Sequence, residues 1–219
     1  MSSFVMRDPT AETASDLRSR ASPLTSFAGK TIALMDIGKM RGEEFIDRLE
    51  QLCHRRGVAT RRYKKPTNTR VAPREMIKDI TKNCQAVIIA LSDCGSCTSC
   101  STHDLNDLDK KGLPGVSVLT EEFRQAFNSQ TSAIGLEAAS VYVPHPMQNR
   151  TTTELHAFAE QSVDAILLAI CSVSPPTPEL DLRIKRDVRN GSFTTLSAKA
   201  ACPSMSALPP PACSPVPTK

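Results

Sequence analysis

The amino-acid sequence predicts a doubly wound α/β domain, a five-stranded parallel sheet covered by helices on both faces. Three observations predict it. Strand-length apolar runs alternate with helical periodicities between residues 29 and 172, and the breaks between them are short. The third run, Ala86–Leu91, is apolar throughout, as a strand buried on both faces must be.

The elements follow in order. Thr31–Ile37 is an apolar run that stops at Gly38, and Glu43–Arg56 then places Phe45, Ile46, Leu49 and Leu52 on one helical face before Gly57 ends it. A polar strand, Ala59–Lys64, leads to Pro66 and a loop. Pro73 opens a helix to about Asn83 with Met76, Ile77 and Ile80 inward. Ala86–Leu91 runs into Ser92-Asp93-Cys94-Gly95-Ser96-Cys97 and a helix to about Lys111, closed by Gly112. After Pro114 come the strand Val116–Leu119, a helix over Glu121–Asn128, the strand Ser140–Val143, the turn Pro144-His145-Pro146 and a long amphipathic helix, Thr153–Ile170. Parallel neighbours need crossovers, and crossovers are right-handed, so the expected architecture is a flavodoxin-like, three-layer fold. Ligands of such sheets gather outside the carboxyl ends of the strands. A strand order of 2-1-3-4-5 puts Asp36, Cys94, Thr120, Glu121 and His145 on that rim.

Composition bounds the rest. The 219 residues are 40% hydrophobic and 23% charged, which suits one packed domain plus unstructured ends. Residues 1–28 mix Ser, Thr and Ala with both charge signs and are expected as a disordered leader, residues 29–172 as the domain, and residues 173–219 as a largely disordered tail holding nine of the sixteen prolines. Asp8, Glu12 and Asp16 argue against a mitochondrial presequence. The longest apolar runs, Ala86–Leu91 and Ala165–Cys171, are far short of the roughly 20 residues that span a bilayer, so a soluble cytoplasmic protein with no membrane partner is expected. Net charge is +4, with no Trp and two Tyr, which disfavours nucleic acid. The chain has no Gly-x-Gly-x-x-Gly, phosphate loop or nucleophile-elbow serine, and no cofactor is expected.

Eight cysteines without an export signal are expected to be free thiols, metal ligands or catalytic groups. Three of them fall in Asp93-Cys94-Gly95-Ser96-Cys97-Thr98-Ser99-Cys100-Ser101-Thr102-His103-Asp104. Three chemistries fit this segment. A Cys-x-x-Cys pair at a helix N-terminus faces unpaired amides and the positive end of the dipole, which lowers a thiol pKa, and Cys97 sits where it could resolve an adduct on Cys94. Alternatively Cys94, Cys97, Cys100 and His103 recur every third residue and could ligate a metal, although four ligands in ten residues demand a loop. The third is plain packing of small residues at a tight junction.

The same residues carry a resemblance. Cys94-Gly95-Ser96-Cys97-Thr98, preceded by an apolar strand and Ser92-Asp93 and followed by His103-Asp104, resembles the UGSC family, whose name spells selenocysteine-Gly-Ser-Cys. Lys111-Gly112-Leu113-Pro114, Val116–Leu119, Thr120-Glu121-Glu122-Phe123 and Pro144-His145-Pro146 resemble later family features, so the resemblance runs from Gly29 to Ile170. More distantly, the strand–turn–helix is similar to the selenoprotein subunit of glycine and proline reductases. Cys94 stands where selenocysteine would. The resemblance implies that Cys94 attacks or reduces a small-molecule substrate, that Cys97 resolves, and that His103 and Asp104 handle protons. It also weakens the metal alternative, since the pattern does not require Cys100.

A weaker nucleophile than selenium, sulfur needs help from its surroundings. His103 would stand about 13 Å along a straight helix from Cys94 and helps only if the helix starts late. His145 is a candidate base or substrate contact; Asp36, Thr120 and Glu121 are candidate substrate contacts. The basic stretch Arg61-Arg62-Tyr63-Lys64-Lys65 suits a solvated edge strand. The expected function is thiol-dependent chemistry on a small molecule, of oxidoreductase, lyase or transferase type, for example in specialised metabolism. Redox turnover would draw on an external thiol or reductase as electron donor. The alternatives are a metal-binding or regulatory protein and a non-enzymatic interaction protein using the Pro-rich tail.

Overall fold

A computed structural model of the chain describes residues 16–172, so the Pro-rich tail, Cys202 and Cys213 lie outside the described residues, as does the first half of the expected leader. Among the described residues five strands and five α-helices alternate: β1 (Thr31–Asp36), α1 (Gly42–Arg55), β2 (Ala59–Lys64), α2 (Arg74–Asn83), β3 (Ala86–Ser92), α3 (Gly95–Asp109), β4 (Gly115–Thr120), α4 (Arg124–Ala133), β5 (Ala139–Val143) and α5 (Thr152–Ile170). A 3₁₀ turn, Glu121–Phe123, joins β4 to α4 where one continuous helix was expected. All pairings are parallel and the order is β2-β1-β3-β4-β5, the expected flavodoxin-like arrangement.

Alternation along the strands divides the core in two. Ile32, Leu34, Ala86, Ile88 and Ala90 pack with Phe45, Ile46 and Leu49 of α1 and with Leu155, Val163 and Ile166 of α5. Ala33, Met35, Val87 and Ile89 pack on the other face with Ile77 and Ile80 of α2, Leu105 and Leu108 of α3 and Phe127 of α4. Every residue of β3 is buried, which is why its sequence is a continuous apolar run. The basic residues of the edge strand β2 are paired: Arg61 with Asp79, Arg62 with Asp47 and Glu50, and Lys64 with Glu43.

Two glycines allow close approaches. A Cβ at Gly115 would lie 2.5 Å from Leu105 Cδ1 and 2.7 Å from Val87 Cγ1, so only glycine lets α3 lie this close to β4. Gly38 turns the chain after β1 with φ +77°, and a Cβ there would meet the Lys65 carbonyl oxygen at 2.7 Å.

The expectation of a disordered leader up to residue 28 is corrected for residues 16–28. Arg18 forms a parallel bridge with Leu136, and Leu24 forms one with Cys171. The Arg18 guanidinium pairs with Asp109, and the Asp109 carboxylate also accepts the Ala21 N–H at 2.7 Å. Charged residues hide this segment from a hydrophobicity reading because they pair with the end of α3. A cavity of about 510 Å³ lies here, lined by Arg18, Arg20, Asp109 and Lys110, at the end of α3 remote from Cys94.

Candidate functional site

The site is built where β3 hands over to α3. Cys94, with extended backbone, is the N-cap of α3. Its Sγ accepts the Cys97 N–H at 3.4 Å, while Cys97 Sγ accepts the Cys94 N–H at 3.0 Å, a reciprocal cap made from sulfur. The two Sγ atoms are 2.7 Å apart and both thiols are free. Thr98 Oγ1 donates to the Cys94 carbonyl at 2.7 Å, and Ser92 Oγ donates to Ser101 Oγ at 3.2 Å, tying the helix start to the strand.

The thiols are electrostatically unequal. Burial pushes the Cys94 thiol up, but hydrogen bonds from the Cys97 thiol, the Ser96 hydroxyl and the Cys97 N–H, with the charge of Lys39, outweigh it and hold it below the ordinary value. Cys97 is pushed up to about 11 by burial and by the neighbouring Cys94. Of the two sulfurs, Cys94 is the one that loses its proton more readily.

Lys39 is a residue that sequence reasoning missed. It lies in the β1–α1 loop, and its Nζ pairs with Asp93 Oδ1 at 2.9 Å, with both side chains largely buried. Asp93 lines a cavity of about 260 Å³ together with His145, Pro146, Gln148 and Asn149. The turn bearing His145 is fixed by Arg150, which donates to the carbonyls of Pro146 at 3.0 Å and His145 at 3.3 Å. Thr120 Oγ1 and His145 Nδ1 are 3.0 Å apart, and Phe123 meets the imidazole edge-on with centroids 5.8 Å apart.

Several expected site residues stand elsewhere. Because α3 begins at Gly95, His103 falls on its exposed face, two turns beyond the cap. Asp104 is buried instead: it accepts a 2.6 Å hydrogen bond from Lys65 Nζ and a 2.7 Å one from the Ala72 N–H, clamping the loop after β2 onto α3. Asp36 is buried, with Oδ1 accepting the Gly38 N–H at 2.8 Å; burial, only partly offset by that bond and by Lys64, raises its pKa. Thr120 is fully buried and reaches the cavity only through His145. Glu121 is exposed in the 3₁₀ turn and does not line the cavity. Of the rim set, the structure brings together the Cys94 loop, through Asp93, and His145.

The expected four-ligand set Cys94, Cys97, Cys100 and His103 is not assembled, since His103 points outward. Among the described residues, the group with metal-ligand proximity is Asp93, Cys94 and Cys97, whose donor atoms lie within 4.8 Å of one another. The Lys39 ammonium already neutralises the Asp93 carboxylate and competes with a cation there.

No curated protein matches this sequence. Among solved structures, a cysteine-to-alanine mutant of flavodoxin from Pseudomonas aeruginosa is 16% identical, with a TM-score of 0.41 over 64% of this chain and 98% of that one. A diflavin flavoprotein from Nostoc sp. is 10% identical, with a TM-score of 0.41 over 63% of this chain and 91% of that one. The UGSC family profile matches residues 5–172, a span that holds the Cys94-Gly95-Ser96-Cys97 cap and the His145 turn. The chain belongs to the UGSC family.

Proposed function

We propose that the protein is a thiol-dependent enzyme acting on a small molecule, with Cys94 as nucleophile and Cys97 as resolving thiol. One observation carries it: a low-pKa sulfur at a helix N-cap, 2.7 Å from a second free thiol and beside a cavity. In the redox version, Cys94 Sγ as thiolate bonds to an electrophilic atom of the substrate and displaces a leaving group, which departs with its bonding pair and takes a proton from water. Cys97, as thiolate, then attacks Cys94 Sγ, forming the Cys94–Cys97 disulfide. The released fragment keeps the bonding pair and takes a proton, and an external thiol reduces the disulfide. In the addition version, Cys94 alone bonds to carbon and the redox state does not change, as a tailoring step in specialised metabolism would use.

Site-resolved alkylation of the untreated chain, read by peptide mass spectrometry, tests the common core. Cys94 is expected to label first, at a pH below the ordinary thiol range. Equal labelling of Cys94, Cys97 and Cys100 sinks the reading. Cys97→Ser then separates the versions, because disulfide turnover collapses while addition to Cys94 persists.

A further inference from the structure

We propose that His145 serves this site as a fixed hydrogen-bond donor through Nε2–H, its tautomer set by Thr120, and that the substrate presents a carbonyl, simple or conjugated, whose oxygen takes up charge when Cys94 attacks. The proposal rests on Cys94 being the nucleophile.

The tautomer follows from the Thr120 hydroxyl. Thr120 ends β4 with no exposed surface, and among the described residues its hydroxyl has one hydrogen-bond partner, His145 Nδ1 at 3.0 Å. Were Nδ1 the donor, the hydroxyl hydrogen would be buried without an acceptor, an arrangement that folded proteins avoid. The hydroxyl therefore donates to Nδ1, and the neutral ring carries its hydrogen on Nε2. Among the described residues Nε2 has no hydrogen-bond partner, while His145 lines the cavity that Asp93 brings to the Cys94 turn. Phe123 against the ring and Arg150 on the turn's carbonyls hold the imidazole in place.

This chemistry also uses a donor on the substrate's side of the cavity. The N-cap and Lys39 already favour the Cys94 thiolate. What bond formation needs is a place for the charge leaving sulfur. When Cys94 Sγ bonds to a carbonyl carbon, or to the β-carbon of a conjugated carbonyl, a sulfur lone pair becomes the C–S bond. The displaced π pair moves to the oxygen, and one unit of negative charge passes from sulfur to oxygen. His145 Nε2–H hydrogen-bonds that oxygen, and water supplies the proton that completes an addition. Neutral imidazole acting in this way keeps its own hydrogen throughout.

Two measurements on the full chain test the proposal. Nitrogen-15 NMR of the imidazoles, with His145 assigned by its loss in His145→Gln, is expected to show the hydrogen on Nε2 in wild type and in Thr120→Ser, and a shift towards mixed tautomers in Thr120→Val. A hydrogen on Nδ1 in wild type overturns the proposal. The second measurement compares Cys94 labelling by acrylamide, which moves charge onto a carbonyl oxygen, with labelling by methyl methanethiosulfonate, which does not. The ratio of the two rates is expected to fall about tenfold in His145→Ala, less than a full oxyanion-site loss because acrylamide is not held in place, and to recover in part in His145→Gln. An unchanged ratio in His145→Ala also overturns it. Failure of Cys94 to react preferentially with methyl methanethiosulfonate in wild type instead removes the nucleophile itself, so the two failures are distinct.

Discussion

Replacing Lys39 with methionine removes the cation that faces the Cys94 loop while keeping most of the length of the side chain. Lys39 Nζ is 2.9 Å from Asp93 Oδ1, and the donor atoms of Asp93, Cys94 and Cys97 lie within 4.8 Å of one another. The ammonium thus stands no more than about 8 Å from Cys94 Sγ, where an effective dielectric constant of about 20–40 gives roughly 1–2 kcal/mol or more of attraction for the thiolate. The substitution also unmasks Asp93, whose negative charge opposes the thiolate. Both effects raise the Cys94 pKa. Because Cys94 is held below the ordinary thiol value, its reactivity rises early on a pH scale, and Lys39→Met moves that rise to higher pH. The assay is the iodoacetamide rate at Cys94 from about pH 5 to about pH 10, corrected for reagent hydrolysis. Lys39→Arg is expected to keep the wild-type midpoint. A midpoint that does not move in Lys39→Met refutes the electrostatic account of the site.

Asp104→Ala strands the fully buried Lys65 ammonium and is expected to cost about 3–5 kcal/mol, read as a lower urea midpoint, whereas His103→Ala on the exposed face stays within about 0.5 kcal/mol of wild type. Equal effects of the two would refute the clamp between the loop after β2 and α3. Cys53, buried and with its thiol pushed up to about 11, is expected to stay unmodified at a pH where Cys94 labels fully, and to label on unfolding. Labelling of Cys53 in the folded protein at the Cys94 rate would contradict the burial of α1.

Much of this architecture was legible because burial writes itself in periodicity. The two-sided run of β3 and the one-sided helix from Phe45 to Leu52 are unambiguous, and parallel crossovers then leave few ways to order the strands. The Cys94–Cys97 pair was legible because i and i+3 at a helix start are neighbours whatever the tertiary fold. Lys39 was not: it precedes Cys94 by more than fifty residues in a loop with no period, and only the β1–β3 pairing brings the two loops together. Asp104 was misread for a related reason. It lies beside His103 in sequence, yet consecutive helical residues point about 100° apart, so one faces water and the other meets Lys65. The hidden contacts of residues 16–28 are polar and long-range, and such pairs leave no pattern in a single sequence.

The sulfur that caps α3 joins two equilibria that are separate in most thiol proteins. An amide that donates to Cys94 Sγ stabilises the thiolate, and by the same free energy the thiolate stabilises the helix start. Occupation of that sulfur by a substrate, or by Cys97, withdraws the acceptor from the first turn. Chemical state and local order at residues 94–98 are thus one thermodynamic variable, and the amide-exchange rate of Cys97 becomes a gauge of how much Cys94 is covalently engaged.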